Sequence, residues 1–239
     1  MIKIPITKLL FIDIETVGLS KNYPDCVQNH PSIANQFNKY FDWFLKRFPE
    51  DNIKDLGPES LKEYVFFKRT ALVPEFAKII CVCLGFITND NKIHKQIIIG
   101  HDEVDILKET NRLLDYFNEK DFYLCGHNLK NFDIPMLSKR MVINGILPSK
   151  LLPSYDTKPW DFKVVDTKEL WQFGSYSSIS SLDLMCTALG VESPKNSEIK
   201  GDDVHEAYWT KDMLHEISQY CEKDVLSLIE VVKKLNSLS

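Results

Sequence analysis

The 239-residue sequence has no apolar run approaching 18 residues, and its N-terminus lacks the charged, apolar and small-residue progression of a secretory signal. Because a transmembrane helix needs about 20 mostly apolar residues, the sequence predicts neither a membrane span nor secretion. Cytoplasmic localisation is therefore expected. Internal repeats and low-complexity tracts are also absent, and the length suits a globular protein with a substantial core.

Two kinds of site have little support in the composition. The six cysteines are scattered and include no C-x-x-C pair, so neither a disulfide framework nor a zinc site is expected. The formal net charge is −5, so no basic surplus indicates a nucleic-acid partner. This counts only weakly against such a partner, because an enzyme can hold nucleic acid through metal ions and a local groove.

Hydrophobic periodicity predicts an α/β fold in which helices flank a mixed central sheet. The early strands and the later alternation of strands with helices both favour this class. The predicted strands span residues 8–15, 77–87, 92–100, 122–127 and 162–166. The predicted helices span residues 103–118, 135–144, 167–173, 180–189, 203–209 and 211–236.

Residues 20–70 interrupt this pattern and predict a helical insertion after the first strand. Apolar side chains recur there at steps of four, four, three and four: Ile33, Phe37, Phe41, Phe44 and Phe48. The spacing favours an amphipathic helix whose apolar stripe packs on the sheet. Alternatively, the insertion flanks a substrate groove and offers Tyr40 or Trp43 to nucleic-acid bases for stacking.

The stretch KLLFIDIETVGL places two acids, Asp13 and Glu15, at the end of an otherwise apolar strand. Side chains two residues apart on a strand share a face. Carboxylates about 5 Å apart repel each other by roughly 3 kcal/mol at an effective dielectric near 20. Either one acid is protonated or a hard cation lies between them. The alternative is that both acids only cap the end of the strand.

The last predicted helix carries one acid on its apolar side. The pattern Y-x-x-x-D occurs twice, at Tyr208 with Asp212 and at Tyr220 with Asp224. At 100° per residue from Ile217, Asp224 falls about 20° away, inside the apolar stripe, and Tyr220 lies at the stripe's edge. Asp212 falls near 220°, on the solvated side, where an acid in the first turn favours the helix dipole.

The segment CGHNLKNFDIPML ends a predicted strand and opens a helix, with Pro135 suited to the first turn. Asp133 comes two residues before that proline and is either a further acid of a site or only a capping residue. Asp166, which follows FKVV, is expected to cap the next helix. His127 is expected to be structural.

In this order, F-I-D-I-E-T, G-H-N-x-x-x-F-D and Y-x-x-x-D resemble the three motifs of the DEDDy branch of the DnaQ-like 3′→5′ exonucleases. The chain is also similar to stand-alone predicted exonucleases related to the proofreading domain of family-B DNA polymerases. That similarity includes VPEFAKIICVCLGF, SLDLMCTALGV and GDDV, and it runs from Lys8 to about Leu235. It implies a single RNase H-like domain over residues 1–239, with the helical insertion at about 20–70.

The resemblance implies metal-dependent hydrolysis of phosphodiester bonds that releases nucleoside 5′-monophosphates from a 3′ end. It assigns Asp13, Glu15, Asp133 and Asp224 as ligands of two divalent ions, Mg²⁺ or Mn²⁺, with Asp13 bridging them. Hard oxygen ligands suit these ions. Tyr220 matches the residue that orients the attacking water, and a phenol with a reference pKa near 10 suits a hydrogen-bonding role better than that of a base.

Three more residues match substrate-binding positions of the family: Thr16, Asn128 and Phe132. Asn128 and Phe132 equally suit a turn-forming asparagine and a core phenylalanine. The expected substrate is the 3′ end of single-stranded DNA, and the alternative is the same chemistry on RNA, since the sugars differ by one 2′-hydroxyl. A non-catalytic nucleic-acid-binding module is the third possibility, although such a module would have no reason to keep mutually repulsive acids.

Overall fold

The computed structural model of the chain describes residues 3–48, 57–175, 181–193 and 199–237. Its strands span Leu9–Gly18 (β1), Ala77–Ile87 (β2), Ile93–Ile99 (β3), Tyr123–Gly126 (β4) and Val164–Asp166 (β5). They form a sheet in the order β3-β2-β1-β4-β5. β2 is antiparallel to β1 and β3, whereas β1, β4 and β5 run parallel. The carboxyl ends of β1, β4 and β5 therefore meet at one edge of the sheet.

Helices cover both faces of the sheet and confirm the predicted mixed α/β class. They span Tyr23–Asn29 (α1), Pro31–Arg47 (α2), Pro58–Arg69 (α3), Glu103–Glu119 (α4), Asp133–Ile143 (α5), Thr167–Gln172 (α6), Leu182–Leu189 (α7), Val204–Thr210 (α8) and Leu214–Asn236 (α9). Among the described helices, none combines the length and the apolar character needed to cross a bilayer.

β1 lies at the centre of the sheet and is buried on both faces. Leu9 and Phe11 pack against apolar residues of α9. Leu10, Ile12 and Ile14 pack on the opposite face, against α4 and α5. The alternation of β1 therefore matches the sequence prediction of a central strand, and it carries the two acids of this strand on the α9 side.

A β-bulge lies beside Glu15. Glu15 is paired with Cys81, whereas Thr16 is paired with Ile79, so Ile80 is an extra residue on β2. Cys81 and Ile80 both pack toward the side of the sheet that α8 and α9 cover. Bulges bend a strand and re-aim its side chains, and they are frequent next to active sites. This one lies at the edge where the parallel strands end.

Two predictions about helix ends have different outcomes. Asp166 caps α6 as predicted, because its carboxylate accepts the amide of Lys168 at 3.0 Å. The last helix begins at Leu214 rather than at residue 211. Asp212 precedes it in a left-handed conformation with φ of 53°, so the prediction that this acid favours the helix dipole from the first turn is wrong. Its predicted exposure is confirmed.

The predicted helical insertion is present as α1, α2 and α3, and residues 49–56 between α2 and α3 lie outside the described residues. The apolar stripe of α2 does not pack on the sheet, so that part of the prediction is wrong. Phe37, Phe41 and Phe44 instead form a separate cluster with Val65 and Phe66 of α3. Helix α3 supplies the apolar surface that the sequence pattern assigned to the sheet.

A buried ion pair ties the helices of one face to the sheet. Arg140 Nε of α5 donates to Glu103 Oε1 of α4 at 2.9 Å, and the same oxygen accepts the Ile79 amide of β2 at 2.7 Å. We expect Arg140→Met to lower the free energy of unfolding by about 3–5 kcal/mol, because it leaves a buried carboxylate without its cation. Urea denaturation measures this loss.

The control for this prediction is the exposed pair formed by Arg112 and Glu109. Arg112→Met is expected to leave the urea midpoint unchanged, because exposed ion pairs contribute little to stability. Equal losses in the two variants would contradict the importance of burial.

Candidate active site

Four acids from three elements meet at the carboxyl-end edge of the sheet. Asp13 and Glu15 come from β1, Asp133 begins α5, and Asp224 lies in the middle of α9. Glu15 and Asp224 are each 8% exposed and Asp133 is 4% exposed. The burial of Asp224 predicted from the helical stripe is thus confirmed. Asp13 keeps some exposed surface, so the cluster is reachable from solvent.

The ligand atoms at the centre of the cluster lie close together. A carboxylate oxygen of Asp13, one of Glu15 and the Sγ of Cys221 all lie within 4.8 Å of one another. The Cys221 thiol donates to the main-chain oxygen of Asp13 at 3.4 Å, and burial raises the pKa of this thiol well above its usual value. Cys221 is therefore a neutral residue that borders the site, and any negative charge of the site comes from the carboxylates.

Burial and mutual repulsion shift the titration of these acids. Desolvation is the largest cause that raises the pKa of Asp13 and of Glu15 well above the usual range, and the charge of Asp224 is the next. Desolvation also raises the pKa of Asp133 to about 8, with further contributions from Asp166 and Asp224. Backbone hydrogen bonds to the Asp133 carboxylate oppose part of that rise.

The donor set fits a hard divalent cation. Asp13 Oδ2 is fully buried and has no hydrogen-bond partner among the described residues. An unpartnered carboxylate oxygen in such a place is costly, and a carboxylate oxygen is a preferred ligand of Mg²⁺ and Mn²⁺. A bound cation would satisfy Asp13 Oδ2 and at the same time reduce the repulsion among the acids.

Tyr220 stands beside Asp224 at the rim of the cluster. Its hydroxyl donates to the Asp224 carboxylate, and burial together with the negative charges of Asp224, Glu15 and Asp13 raises its pKa. The phenol is therefore neutral at pH 7. A Cβ atom on Gly201 would lie 3.7 Å from the Tyr220 hydroxyl oxygen, so the turn that begins at Gly201 passes alongside this hydroxyl.

Asp166 organises the loop that leads to Asp133. Its carboxylate accepts the amides of Asn128 at 2.9 Å and Lys130 at 3.0 Å, in addition to the amide of Lys168 that it caps. Three backbone bonds from two segments fix the course of the chain between β4 and α5. Asp166 therefore affects Asp133 in two ways. It fixes the loop that leads to Asp133, and its negative charge helps to raise the pKa of Asp133.

The predicted substrate-binding residues lie around the same edge but are engaged within the protein. Asn128 has a φ of 62°, which fits the turn-forming alternative, and its side-chain oxygen accepts Lys168 Nζ at 3.1 Å. Phe132 is partly buried against the core. Thr16 Oγ1 donates to the main-chain oxygen of Ala71 at 2.7 Å.

The competing motif and the histidine have structural roles. The buried Tyr208 hydroxyl lies 2.8 Å from Lys78 Nζ and 2.9 Å from His101 Nδ1, away from the acids. His127 Nδ1 lies 3.0 Å from Thr167 Oγ1, as expected of a structural histidine. Of the two Y-x-x-x-D patterns, the one at Tyr220 joins the cluster.

Sequence reasoning did not single out Gly201 or Cys221 as parts of the site. Gly201 begins the GDDV segment, and a backbone approach of this kind leaves no periodic signal. Cys221 stands three residues before Asp224 in the apolar stripe of α9. That spacing puts both on one helical face and could have placed the cysteine beneath the acids.

The mixed sheet and the flanking helices form an α/β fold of the RNase H-like type, and the buried acidic cluster lies at the carboxyl-end edge of its sheet. Among solved structures, the chain is similar to the family B DNA polymerase from the hyperthermophilic archaeon Pyrobaculum calidifontis, with 17% identity and a TM-score of 0.59. The similarity covers 97% of this chain and 25% of the polymerase, so the chain spans about a quarter of that protein's length.

Residues 70–236 match the model of a family described as predicted 3′-5′ exonucleases related to the exonuclease domain of PolB. The chain belongs to this family, whose members are hydrolases of phosphodiester bonds. No curated protein gives a significant match. The matched range includes Asp133, Tyr220 and Asp224, whereas Asp13 and Glu15 precede it and are brought to these residues by the fold.

The raised pKa of Asp133 predicts that, without metal, this acid destabilises the protein as pH rises. Its folded-state pKa of about 8 exceeds the ordinary value of 3.8, so its favourable contribution is complete below about pH 4 and is lost as pH rises through 8. In EDTA we expect the wild-type melting temperature to fall by several degrees between pH 6 and pH 8, since 1 kcal/mol corresponds to about 2–4 °C in a chain of this size.

Asp133→Asn should flatten that fall, whereas Asp115→Asn, on the exposed side of α4, should leave it unchanged. Added Mn²⁺ should raise the wild-type melting temperature more at pH 8 than at pH 6. A pH dependence that is the same in all three proteins would contradict the assignment. Scanning calorimetry provides the measurement.

Proposed function

We propose that this protein removes nucleoside 5′-monophosphates from the 3′ end of single-stranded DNA. The observation that carries the proposal is the cluster of Asp13, Glu15, Asp133 and Asp224, which includes a buried oxygen without a partner. The chain's membership of a family of predicted 3′-5′ exonucleases supports the direction of hydrolysis. The similarity to a DNA polymerase favours DNA as the substrate.

The four acids would hold two divalent ions, Mg²⁺ or Mn²⁺. Such ions lower the pKa of a bound water and stabilise the charge that develops on the phosphodiester oxygens. Asp13 and Glu15 are presented rigidly by the central strand. Asp224 approaches from the opposite wall on α9, and Asp133 approaches from the start of α5. The protein thus contributes a fixed array of negative oxygens.

Tyr220 would orient the attacking water by its hydroxyl. The raised pKa makes a phenolate unavailable near neutral pH, so Tyr220 does not act as a base. Because its hydrogen bond to Asp224 fixes the hydroxyl beside the acids, the oxygen would accept a hydrogen bond from a water close to them. Positioning of this kind removes orientational freedom before the reaction.

Asn128, Phe132 and Thr16 would contact the terminal nucleotide. Asn128 and Phe132 lie on the loop that carries Asp133, and Thr16 follows Glu15 on β1. The Thr16 hydroxyl is engaged with Ala71, which leaves its backbone as the contact. Phe132 is only partly buried, so part of its side chain could contact a sugar or a base.

A 3′→5′ exoribonuclease with the same site is the second candidate, because contacts to one 2′-hydroxyl decide between the two sugars. A non-catalytic nucleic-acid-binding module is the third, and the retained acids argue against it. A time course with matched 5′-labelled single-stranded DNA and RNA, with Mg²⁺, Mn²⁺ or EDTA, separates all three. Intact DNA and RNA in both metals would overturn the proposal.

Asp224→Asn tests the acids directly. We expect it to reduce mononucleotide release by about 10³-fold or more, because the metal ions supply several kcal/mol of charge stabilisation and this variant loses a ligand charge. Asp212→Asn is the matched control from the competing Y-x-x-x-D motif, and it should retain wild-type activity because Asp212 is exposed. Circular dichroism checks that both variants are folded.

Tyr220→Phe tests the positioning role. Removing the hydroxyl should lower kcat by about 10²-fold, because the attacking water loses its orientation, while KM changes little. The activity lost should not return at high pH, since a neutral phenol and a phenyl ring differ in hydrogen bonding and not in charge. Steady-state kinetics at pH 7 and pH 9 gives the answer. An unchanged kcat would exclude Tyr220 from the reaction.

A further inference from the structure

The solvent-facing side of α2 combines an exposed tryptophan with three cations. Measured at 100° per residue from the buried Phe41, these four residues fall between about 140° and 240°, opposite the apolar stripe. Trp43 is 52% exposed, and the three cations beside it are also exposed. We call this surface the basic–aromatic face, and it consists of Lys39, Trp43, Lys46 and Arg47.

Cations outnumber acids on α2, which carries this face. In the part of the chain that the structure describes, no ion pair involves Lys39, Lys46 or Arg47. Within α2 these three cations are accompanied by one acid, Asp42, whereas the chain as a whole has a net charge of −5. A local positive surface on an acidic protein is complementary to a polyanion.

The Trp43 ring contacts two other aromatic rings of the insertion and keeps about half of its surface exposed. The Tyr40 ring lies 5.6 Å from it, and the Phe48 ring lies 6.1 Å away in an edge contact. Tyr40 in turn rests on Phe76 at 5.6 Å and is half-buried. Of the two aromatic residues that the sequence offered for stacking, Trp43 is therefore the exposed platform and Tyr40 is its support.

The insertion is attached at the same edge of the sheet as the acids. Phe76, which supports Tyr40, accepts the Leu19 amide at 2.9 Å through its main-chain oxygen. Gly18, the last residue of β1, lies about 10 Å beyond Glu15, at roughly 3.3 Å per residue. A strand of nucleic acid that leaves the acids along this edge would therefore run toward the insertion.

We propose that the basic–aromatic face binds single-stranded nucleic acid on the 5′ side of the terminal nucleotide. A base stacks on Trp43, and Lys39, Lys46 and Arg47 neutralise backbone phosphates. This proposal rests on the proposed function, because it extends the substrate path of the same site. The family match begins at residue 70, so the face lies outside the matched region.

Binding of 5′-fluorescein oligo(dT) of 4 and 20 nucleotides, measured by anisotropy, tests the face in an Asp224→Asn background that prevents cleavage. Trp43→Ala should weaken binding of the 20-mer by about 5- to 160-fold, the range for loss of one base–aromatic stack. Trp43→Phe should restore part of it. The 4-mer offers fewer bases and phosphates to this face, so its binding should change less than that of the 20-mer.

The double change Lys46→Glu and Arg47→Glu should also reduce the slope of log K against log salt by about 1.4, since each phosphate contact in a single strand contributes about 0.7. Tyr116 and Lys120 provide the matched control. They form an exposed aromatic–cation pair with Lys120 Nζ 4.7 Å from the Tyr116 ring, at the opposite edge of the sheet. Tyr116→Ala and Lys120→Glu should leave binding unchanged.

If Trp43→Ala and the double variant both bind the 20-mer as tightly as the parent protein, the proposal is overturned. An acidic protein would then be the partner that this face fits. Hydrolysis by the wild-type protein separates this failure from that of the proposed function. If the wild type cleaves DNA without dependence on Trp43, the face is wrong and the function stands. If it binds through Trp43 but cleaves neither DNA nor RNA, the face stands and the function is wrong.

Discussion

The mutual repulsion of four buried acids is the constraint around which the rest of the molecule is arranged. Glu103 shows how the chain neutralises a buried carboxylate elsewhere, since Arg140 bonds it directly. No ion pair between described residues does the same for Asp13, Glu15 or Asp133. The protein thus leaves the positive charge that would ionise these acids to an external divalent cation.

Backbone amides and packing, rather than cations, hold the acids in position. The central strand fixes Asp13 and Glu15 through its pairing with Cys83 and Cys81 of β2, and Asp166 fixes the loop before Asp133 by accepting backbone amides. These contacts orient the acids without cancelling their charge. A cation in the same positions would lower their pKa values and would also compete with the metal ion.

The residues of the site were more predictable than their surroundings. Period-two and period-3.6 patterns report the face on which a residue lies, and this was enough to place Glu15 and Asp224 in the interior. They do not report which surface covers that face. The stripe of α2 was therefore recognised as apolar but assigned to the sheet, whereas α3 covers it. Likewise, the left-handed conformation of Asp212 depends on how the chain enters α9, which has no local periodic signature.

The way the insertion joins the sheet explains how the insertion can carry a surface of its own without disturbing the strands beside it. Gly18 at the end of β1 packs directly against the Thr70 side chain just after α3, so the two ends of the insertion meet. A segment whose ends meet can lengthen with little change in closure entropy and without altering the strands it joins. Thr16 adds a bond to Ala71 at the same junction. The acids and the insertion thus share one attachment, which lets the insertion change substrate affinity while the strand that carries Asp13 and Glu15 stays fixed.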